Sequence, residues 1–475
     1  MRSVMPTRTS RPVVIGLRHL LLAGSALCLS NLAAADGASA MTLTEALAAA
    51  YNNNPTLLAQ RARLRESDEG VSQALSGWRP TVQFTGTAGV SRFESNAPVA
   101  SGQTGAGGSD TLTPRTLDLN VTQPVYSGGR TVATTSQAEN TVRATRALTL
   151  ATEQQVLLGA VTSFLDVVQN QAVLALSINN EQVLRRQLEA TQDRFRVGEV
   201  TRTDVSQAEA TFATATATRI QSEGTLETSR AAFERFVGEP PGLLEPPTER
   251  PVLPISRAEA ATLAANNNPN VISAQFNESA ARDAVRAVRG QLLPQISIVG
   301  DANRSDETSF RNRNLNTFSL TARMTVPLYE GGLIYSQTRQ ANEVVGERRN
   351  QVDDTRRQTV QTAQSDWETL QANRAQVQSL MASVRANEIA YEGVQQEALV
   401  GARTVLDVLN AEQVLFSSRV GLVQAQHNEL VAEFSVASDV GRLTAIDMNL
   451  PVQPYDFDRH YRGVRNKWIG FGTSD

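Results

Sequence analysis

From Val360 onward, apolar residues recur at alternating steps of three and four: Val360, Ala363, Trp367, Leu370, Val377, Met381 and Val384, with Arg374 in the same series. The first half of the chain repeats the spacing at Leu157, Ala160, Phe164, Val167, Gln171, Leu174 and Ile178. Steps of three and four keep one side of a helix apolar, so each stretch predicts a coiled-coil seam. Leu409, Phe416, Val423 and Leu430 keep a heptad on a returning helix. Val197 follows Gly129 by 68 positions (197 − 129), and Val400 follows Gly332 by the same number (400 − 332), with almost no breakers between. At 1.5 Å per residue each continuous helix would run roughly 100 Å. The remaining helical surface is Gln, Asn, Thr, Glu and Arg, which by itself fits an ordinary solvated coiled coil as well as a hollow assembly.

Elsewhere the period changes to two. Val82, Phe84, Ala88 and Val90 interleave with Gln83, Thr85 and Thr87, and Leu117, Leu119 and Val121 with Asp118, Asn120 and Thr122. Ile296 and Ile298 alternate with Gln295 and Ser297, and Phe318, Leu320, Ala322, Met324 and Val326 with Ser319, Thr321, Arg323 and Thr325. Strands with one apolar and one polar face suit a soluble sandwich or a membrane barrel. Strand length of ~10 residues favours the barrel, with Asp118 and Arg323 facing a wet lumen. So does the lack of a second sheet to cover the apolar face. Four strands cannot close a barrel, because closed membrane barrels begin at about eight, and open edges are not tolerated in hydrocarbon. Two chains would supply eight strands and three would supply twelve; the count alone leaves both open.

The chain is a tandem repeat. Asn52-Asn53-Asn54-Pro55 recurs as Asn266-Asn267-Asn268-Pro269, an offset of 214 (269 − 55) shared by Pro80 and Pro294. Pro124-Val125-Tyr126-Ser127-Gly128-Gly129 recurs as Pro327-Leu328-Tyr329-Glu330-Gly331-Gly332, an offset of 203 (327 − 124) that persists to Val237-Gly238 and Val440-Gly441. The eleven residues lost between the two offsets (214 − 203) mark a free-length loop, which in the first repeat includes Ser95–Pro98 and Gly102–Gly108. The expected organisation is an α+β membrane protein. A signal peptide at 1–40 precedes a first repeat at 41–238, with a β-hairpin about 80–126 and a helical hairpin whose tip lies near 197–204. A Pro-rich connector spans 239–256, and a second repeat spans 257–443, with a β-hairpin about 294–329 and a tip near 400–410. A tail at 444–475 reads as packing or loose. Pro124, Gly128, Gly129, Pro327, Gly331 and Gly332 form the strand-to-helix junctions, where Pro sets direction and Gly permits the bend.

Composition narrows the function. Lys plus Arg total 44 against 48 Asp plus Glu, a net charge of −4, which argues against a nucleic-acid footprint. Aromatics are only 5%, thin for a large compact core. Arg2, Arg8, Arg11 and Arg18 precede the apolar run Leu20–Leu29, and Ala33-Ala34-Ala35 or Ala38-Ser39-Ala40 would serve cleavage, so export is expected. Leu27 before Cys28 argues against a lipoprotein, and Cys28 is the only cysteine. No run of ~18 consecutive apolar residues follows, so no membrane-spanning helix is expected. The histidines are His19, His427 and His460, without ligand spacing, and His427 falls on the helical seam. No catalytic constellation, metal site or cofactor is expected, and the chain does not read as an enzyme.

Two stretches interrupt the helices in register. Val400-Gly401-Ala402-Arg403-Thr404-Val405-Leu406-Asp407-Val408-Leu409-Asn410 answers Val197-Gly198-Glu199-Val200-Thr201-Arg202-Thr203-Asp204-Val205, each with an Asp six residues after its Gly. With the tandem repeat and the Pro-x-Tyr-x-Gly-Gly junctions, the chain from about Met41 to Leu443 resembles the TolC family of outer-membrane efflux and secretion ducts. The resemblance implies a homotrimer with a twelve-stranded barrel among outer-membrane lipid and a twelve-helix tunnel through the periplasm. It also implies a periplasmic adaptor and an inner-membrane pump or ABC exporter as partners, in efflux or type I secretion. Arg403 matches the arginine of the links that close such tunnels, Thr203 and Asp204 match its usual acceptors, and Asp407 matches the outer acidic ring. Asn410 replaces the second acidic ring and Ala398 a frequent tyrosine. Val197, Gly198, Glu199, Val400, Gly401 and Ala402 match the adaptor-docking tips. Plain alternatives are a surface ion pair at Arg403, helix N-caps at Asp204 and Asp407, and simple turns at the tips. The rival classes are a periplasmic coiled-coil scaffold and an autonomous porin.

Overall fold

A computed structural model describes residues 41–94, 109–247, 249–308 and 312–472. The leader at 1–40 with Cys28, and the insertion at 95–108, lie outside these residues. The first repeat runs α1 (Leu43–Asn53), α2 (Pro55–Leu75), β1 (Thr81–Ala88), β2 (Ser91–Glu94), β3 (Ser109–Leu112), β4 (Arg115–Ser127), α3 (Arg130–Arg196) and α4 (Arg202–Val237). The second runs α5 (Arg257–Asn267), α6 (Pro269–Arg289), β5 (Gln295–Asp306), β6 (Asn314–Thr325), α7 (Leu333–Leu399) and α8 (Val405–Asp439), and α9 (Arg459–Val464) follows. Helices α3 and α7 have 67 residues each.

The repeated Asn-Pro pairs have a physical cause. Asn54 and Asn268 cap α2 and α6, each side-chain oxygen accepting from the N–H two residues on (Thr56 and Asn270, both 2.9 Å), with Pro first in the helix. Each Nδ2 then donates to a carbonyl at the far end of a long helix, Asn54 to Phe236 and Asn268 to Asp439, both 3.0 Å. One side chain thus satisfies a start and a finish that would otherwise leave unpaired backbone groups.

The largest core gathers α1 (Leu43, Leu47), the middle of α3 (Leu157, Val161, Phe164), the end of α4 (Phe233, Val237) and Phe434 of α8. An 18-residue stretch within α3, at mean hydropathy 1.3, is long and apolar enough to cross a membrane. The sequence reading expected no such helix. Its composition reflects this core, since Leu157, Ala160, Val161 and Phe164 are all fully buried.

Further along, the seams depart from the expected series. Ile178 and Met381 are exposed, while Ser177, Glu181 and Leu184 carry the α3 contact instead. A straight helix turns 3.6 residues per turn, so a strict 3.5 series drifts off the seam. The tail packs rather than hanging loose. Tyr455 N–H donates to Tyr51 Oη (2.9 Å), His460 meets Asp68 at 3.0 Å with both buried, and Arg146 pairs with Asp458 at 2.7 Å.

Strands β1, β4, β5 and β6 form one antiparallel sheet in the order β1-β4-β5-β6. Register aligns Phe84, Leu119, Ala302 and Phe318 across one face, and Thr85, Asp118, Asn303 and Thr317 across the other. The apolar face is bare, with Phe84 67% and Phe318 82% exposed. Val90, expected in a strand, lies between β1 and the separate β2–β3 ribbon. Pro124 sits inside β4 rather than at its end, because a bulge between Pro124 and Tyr126 absorbs the missing donor.

Asn268→Ala should remove both a cap and a cross-helix bond, costing about 1–2 kcal/mol. Urea unfolding in detergent checks this. A midpoint unchanged from the parent protein would show that the bonds carry no weight.

Candidate functional site

The two helical tips are built alike. Helix α3 closes with Gly198 at φ +83, the Gly198 N–H donating to the Phe195 carbonyl (3.0 Å) and the Glu199 N–H to that of Arg194 (2.9 Å). Helix α7 closes with Gly401 at φ +79, Gly401 N–H donating to Ala398 (3.2 Å) and Ala402 N–H to Glu397 (2.9 Å). This paired closure needs a left-handed residue, which is why each tip has glycine.

The next helices begin with capping boxes. Thr201 accepts from Asp204 N–H (3.2 Å), while Asp204 Oδ2 accepts from Thr201 N–H (2.9 Å) and from its Oγ1 (2.8 Å). Thr404 and Asp407 repeat this at 3.2, 3.0 and 2.8 Å. The caps are therefore the threonines, and the aspartates stand three residues inside. The Thr201 N–H first, then its hydroxyl, holds the Asp204 carboxyl below the usual range; Thr404 does the same for Asp407, with a smaller share from Arg403.

Within the chain, Arg403 does not reach Thr203 or Asp204. Its Nε donates to Glu397 Oε2 at 2.8 Å, across its own tip. The turn brings residues six apart into contact, and an acidic neighbour on the same hairpin competes first. Thr203 and Asn410 are exposed. Val197 and Val400 project into solvent at 72% and 82% exposure. At the opposite ends of the long helices, Gly129 and Gly332 serve as left-handed N-caps at φ 74 and 81, preceded by Gly128 and Gly331 at φ 66 and 63. A side chain at Gly128 would also run into the Gly290 carbonyl oxygen. Pro327 lies just beyond β6.

Behind the tips, Leu184 of α3, Ala208 and Ala215 of α4, and Val405 and Leu409 of α8 share one small core. The second hairpin is thereby moored to the first. Higher up, His427 of α8 meets Asp166 of α3 at 2.8 Å. A polar cluster that spacing did not disclose lies between these points. Burial, then the Glu412 carboxylate, pushes the Tyr391 hydroxyl up to about 12. Burial raises Glu412, and its hydrogen bond to Tyr391 partly opposes that. Arg419, bonded to Glu388 at 2.9 Å, and Arg186 of α3 supply positive charge nearby. Glu412 falls three residues after Leu409 on the apolar side of α8, which was the available signal.

The family model described as outer membrane efflux protein matches residues 46–239 and 260–442. The chain belongs to the outer membrane efflux protein family. Outer membrane efflux protein BepC of Brucella suis is 34% identical over 456 residues, covering 96% of this chain and 97% of that one. Outer membrane protein TolC of Escherichia coli is 24% identical, covering 70% of each. The Campylobacter jejuni CmeC outer membrane channel superposes with a TM-score of 0.74 at 16% identity, covering 89% of each chain. This efflux protein has the α+β channel fold of those relatives, and its place is the outer membrane. The relatives are channels rather than enzymes.

Two opposite pH dependences are expected along the second hairpin, one behind its tip and one at it. Glu412 titrates above its ordinary value, so its stabilisation is complete below about pH 4 and is lost as pH rises through the raised value. Asp407 titrates below its ordinary value, so its contribution is present above about pH 4 and is lost as pH falls through the lowered value. Hydrogen exchange should show amides near Tyr391 gaining protection on mild acidification, and Glu412→Gln should abolish that gain. Amides near Asp407 should keep their protection over the same interval.

Proposed function

We propose that three copies assemble into a duct whose twelve strands close one barrel and whose long helices form a tunnel closed at the tips. One observation carries this reading: a four-stranded sheet with a bare apolar face and two open edges continues into helices of 67 residues. In lipid each unpaired edge group costs several kcal/mol, which further copies can relieve. Family membership favours the duct over a free-standing coiled-coil scaffold or an autonomous porin.

Three-fold symmetry would bring three Asp407 carboxylates together at the entrance, where a carboxylate ring favours cations. Asn410 adds a neutral polar ring. Arg403, Thr203 and Asp204 stand at the same level, where packing of neighbouring hairpins can redirect the Arg403 pair from Glu397. Val197, Gly198, Glu199, Val400, Gly401 and Ala402 present an exposed rim suited to a periplasmic adaptor. The duct is passive, so an inner-membrane pump or ABC exporter supplies the energy. Relatives named for efflux and for alkaline protease secretion support both uses of one conduit.

Reconstituted in a planar bilayer, Arg403→Ala and Asp204→Ala should each raise single-channel conductance above that of the parent. Unchanged conductance in both variants would remove these residues from the closing mechanism.

A further inference from the structure

Because the chain is close to two copies of one unit, contacts between the repeats have counterparts that a single chain leaves open. Helix α3 of the first repeat packs along α6 of the second, and β4 pairs with β5. Exchanging the repeats sets α7 along α2 and β6 beside β1. Inside the chain β1 and β6 are instead the outer edges of the sheet, and α2 packs on α3.

Two observations mark those surfaces as unfinished. Strand β4 runs to Ser127 because β5 holds its last five residues, beyond the reach of β1, whereas β6, which lacks the equivalent neighbour, stops at Thr325, five residues short of the equivalent Glu330 (127 + 203 = 330; 330 − 325 = 5). At the α3–α6 contact, Asp283 is 1% exposed and accepts from Ser136 Oγ (2.7 Å) and Asn140 Nδ2 (2.8 Å). The offsets turn this buried acceptor into Glu69 (283 − 214) and its donors into Arg339 (136 + 203) and Glu343 (140 + 203). Among the described residues neither Glu69 nor Arg339 has an ion pair.

Resting on the trimeric reading above, we infer that a second copy of this chain docks its α2–β1 edge against α7 and β6, with Glu69 of one copy paired to Arg339 of the next. Arg339 then stands between Glu69 and Glu343 and offsets both charges. The same offsets fix the strand register. Gln123 opposite Ile298 becomes Val326 opposite Phe84, and Val121 opposite Gly300 becomes Met324 opposite Gly86. Thr122 opposite Val299 becomes Thr325 opposite Thr85, and Asn120 opposite Asp301 becomes Arg323 opposite Thr87. Apolar residues therefore meet apolar, and polar meet polar. The offsets came from proline and glycine landmarks, so this match of faces is an independent check, because a slip of one residue would invert it.

Paired cysteines in the full-length protein test the contact: Glu69→Cys with Arg339→Cys, and separately Phe84→Cys with Val326→Cys. Oxidation should convert each double variant, but neither single variant, into reducible covalent dimers and trimers. Glu69→Arg should lower the trimer fraction in detergent, and adding Arg339→Glu should restore it. A native mass of three chains without cross-linking in either pair overturns this register while leaving the trimer standing. A native mass of one chain overturns both.

Discussion

Backbone hydrogen bonding in a solvent that offers none is the constraint on which this molecule depends. Strand β5 is paired along both sides, and β4 along both sides from Arg115 to Thr122, but the outer sides of β1 and β6 face no strand. Water would satisfy those edges and penalise Phe84 and Phe318; lipid would welcome the phenylalanines and penalise the edges. Only association along the edges suits both. The internal repeat makes such association economical in sequence, because one mode of strand and helix contact can serve within a chain and between chains.

The helical part solves a related problem at its ends. Helices this long gain little from intrinsic propensity and much from packed faces, yet they must begin and stop at fixed heights. Glycine in left-handed geometry stops α3 and α7, and threonine capping boxes start α4 and α8 three residues later (201 − 198 and 404 − 401). Behind the tips the second hairpin is held to the first by the Leu184–Leu409 core and by His427 against Asp166.

Much of this was legible because proline, glycine and asparagine fix backbone geometry locally. The repeat offsets and the two turns followed from such residues, and the four strands of the main sheet followed from alternation of apolar and polar positions. What escaped notice depended on contacts. Thr201 and Thr404 rather than the aspartates are the caps, because the hydroxyl meets the N–H while the carboxylate reaches back. Arg403 bonds to Glu397, a pairing that only the folded turn creates. The Tyr391–Glu412 cluster was hidden because an apolar periodicity has no place for a buried carboxyl. Pro124 was misplaced since a bulge lets a strand continue past it.

The β2–β3 ribbon extends the β1–β4 pair at the end remote from the helices. All of the length difference between the halves of the chain falls in this region. Insertions or deletions there leave every proline and glycine landmark in step, so the length of this region can change without shifting the strand register or the long helices. The two ends of the molecule are thus free to evolve at different speeds.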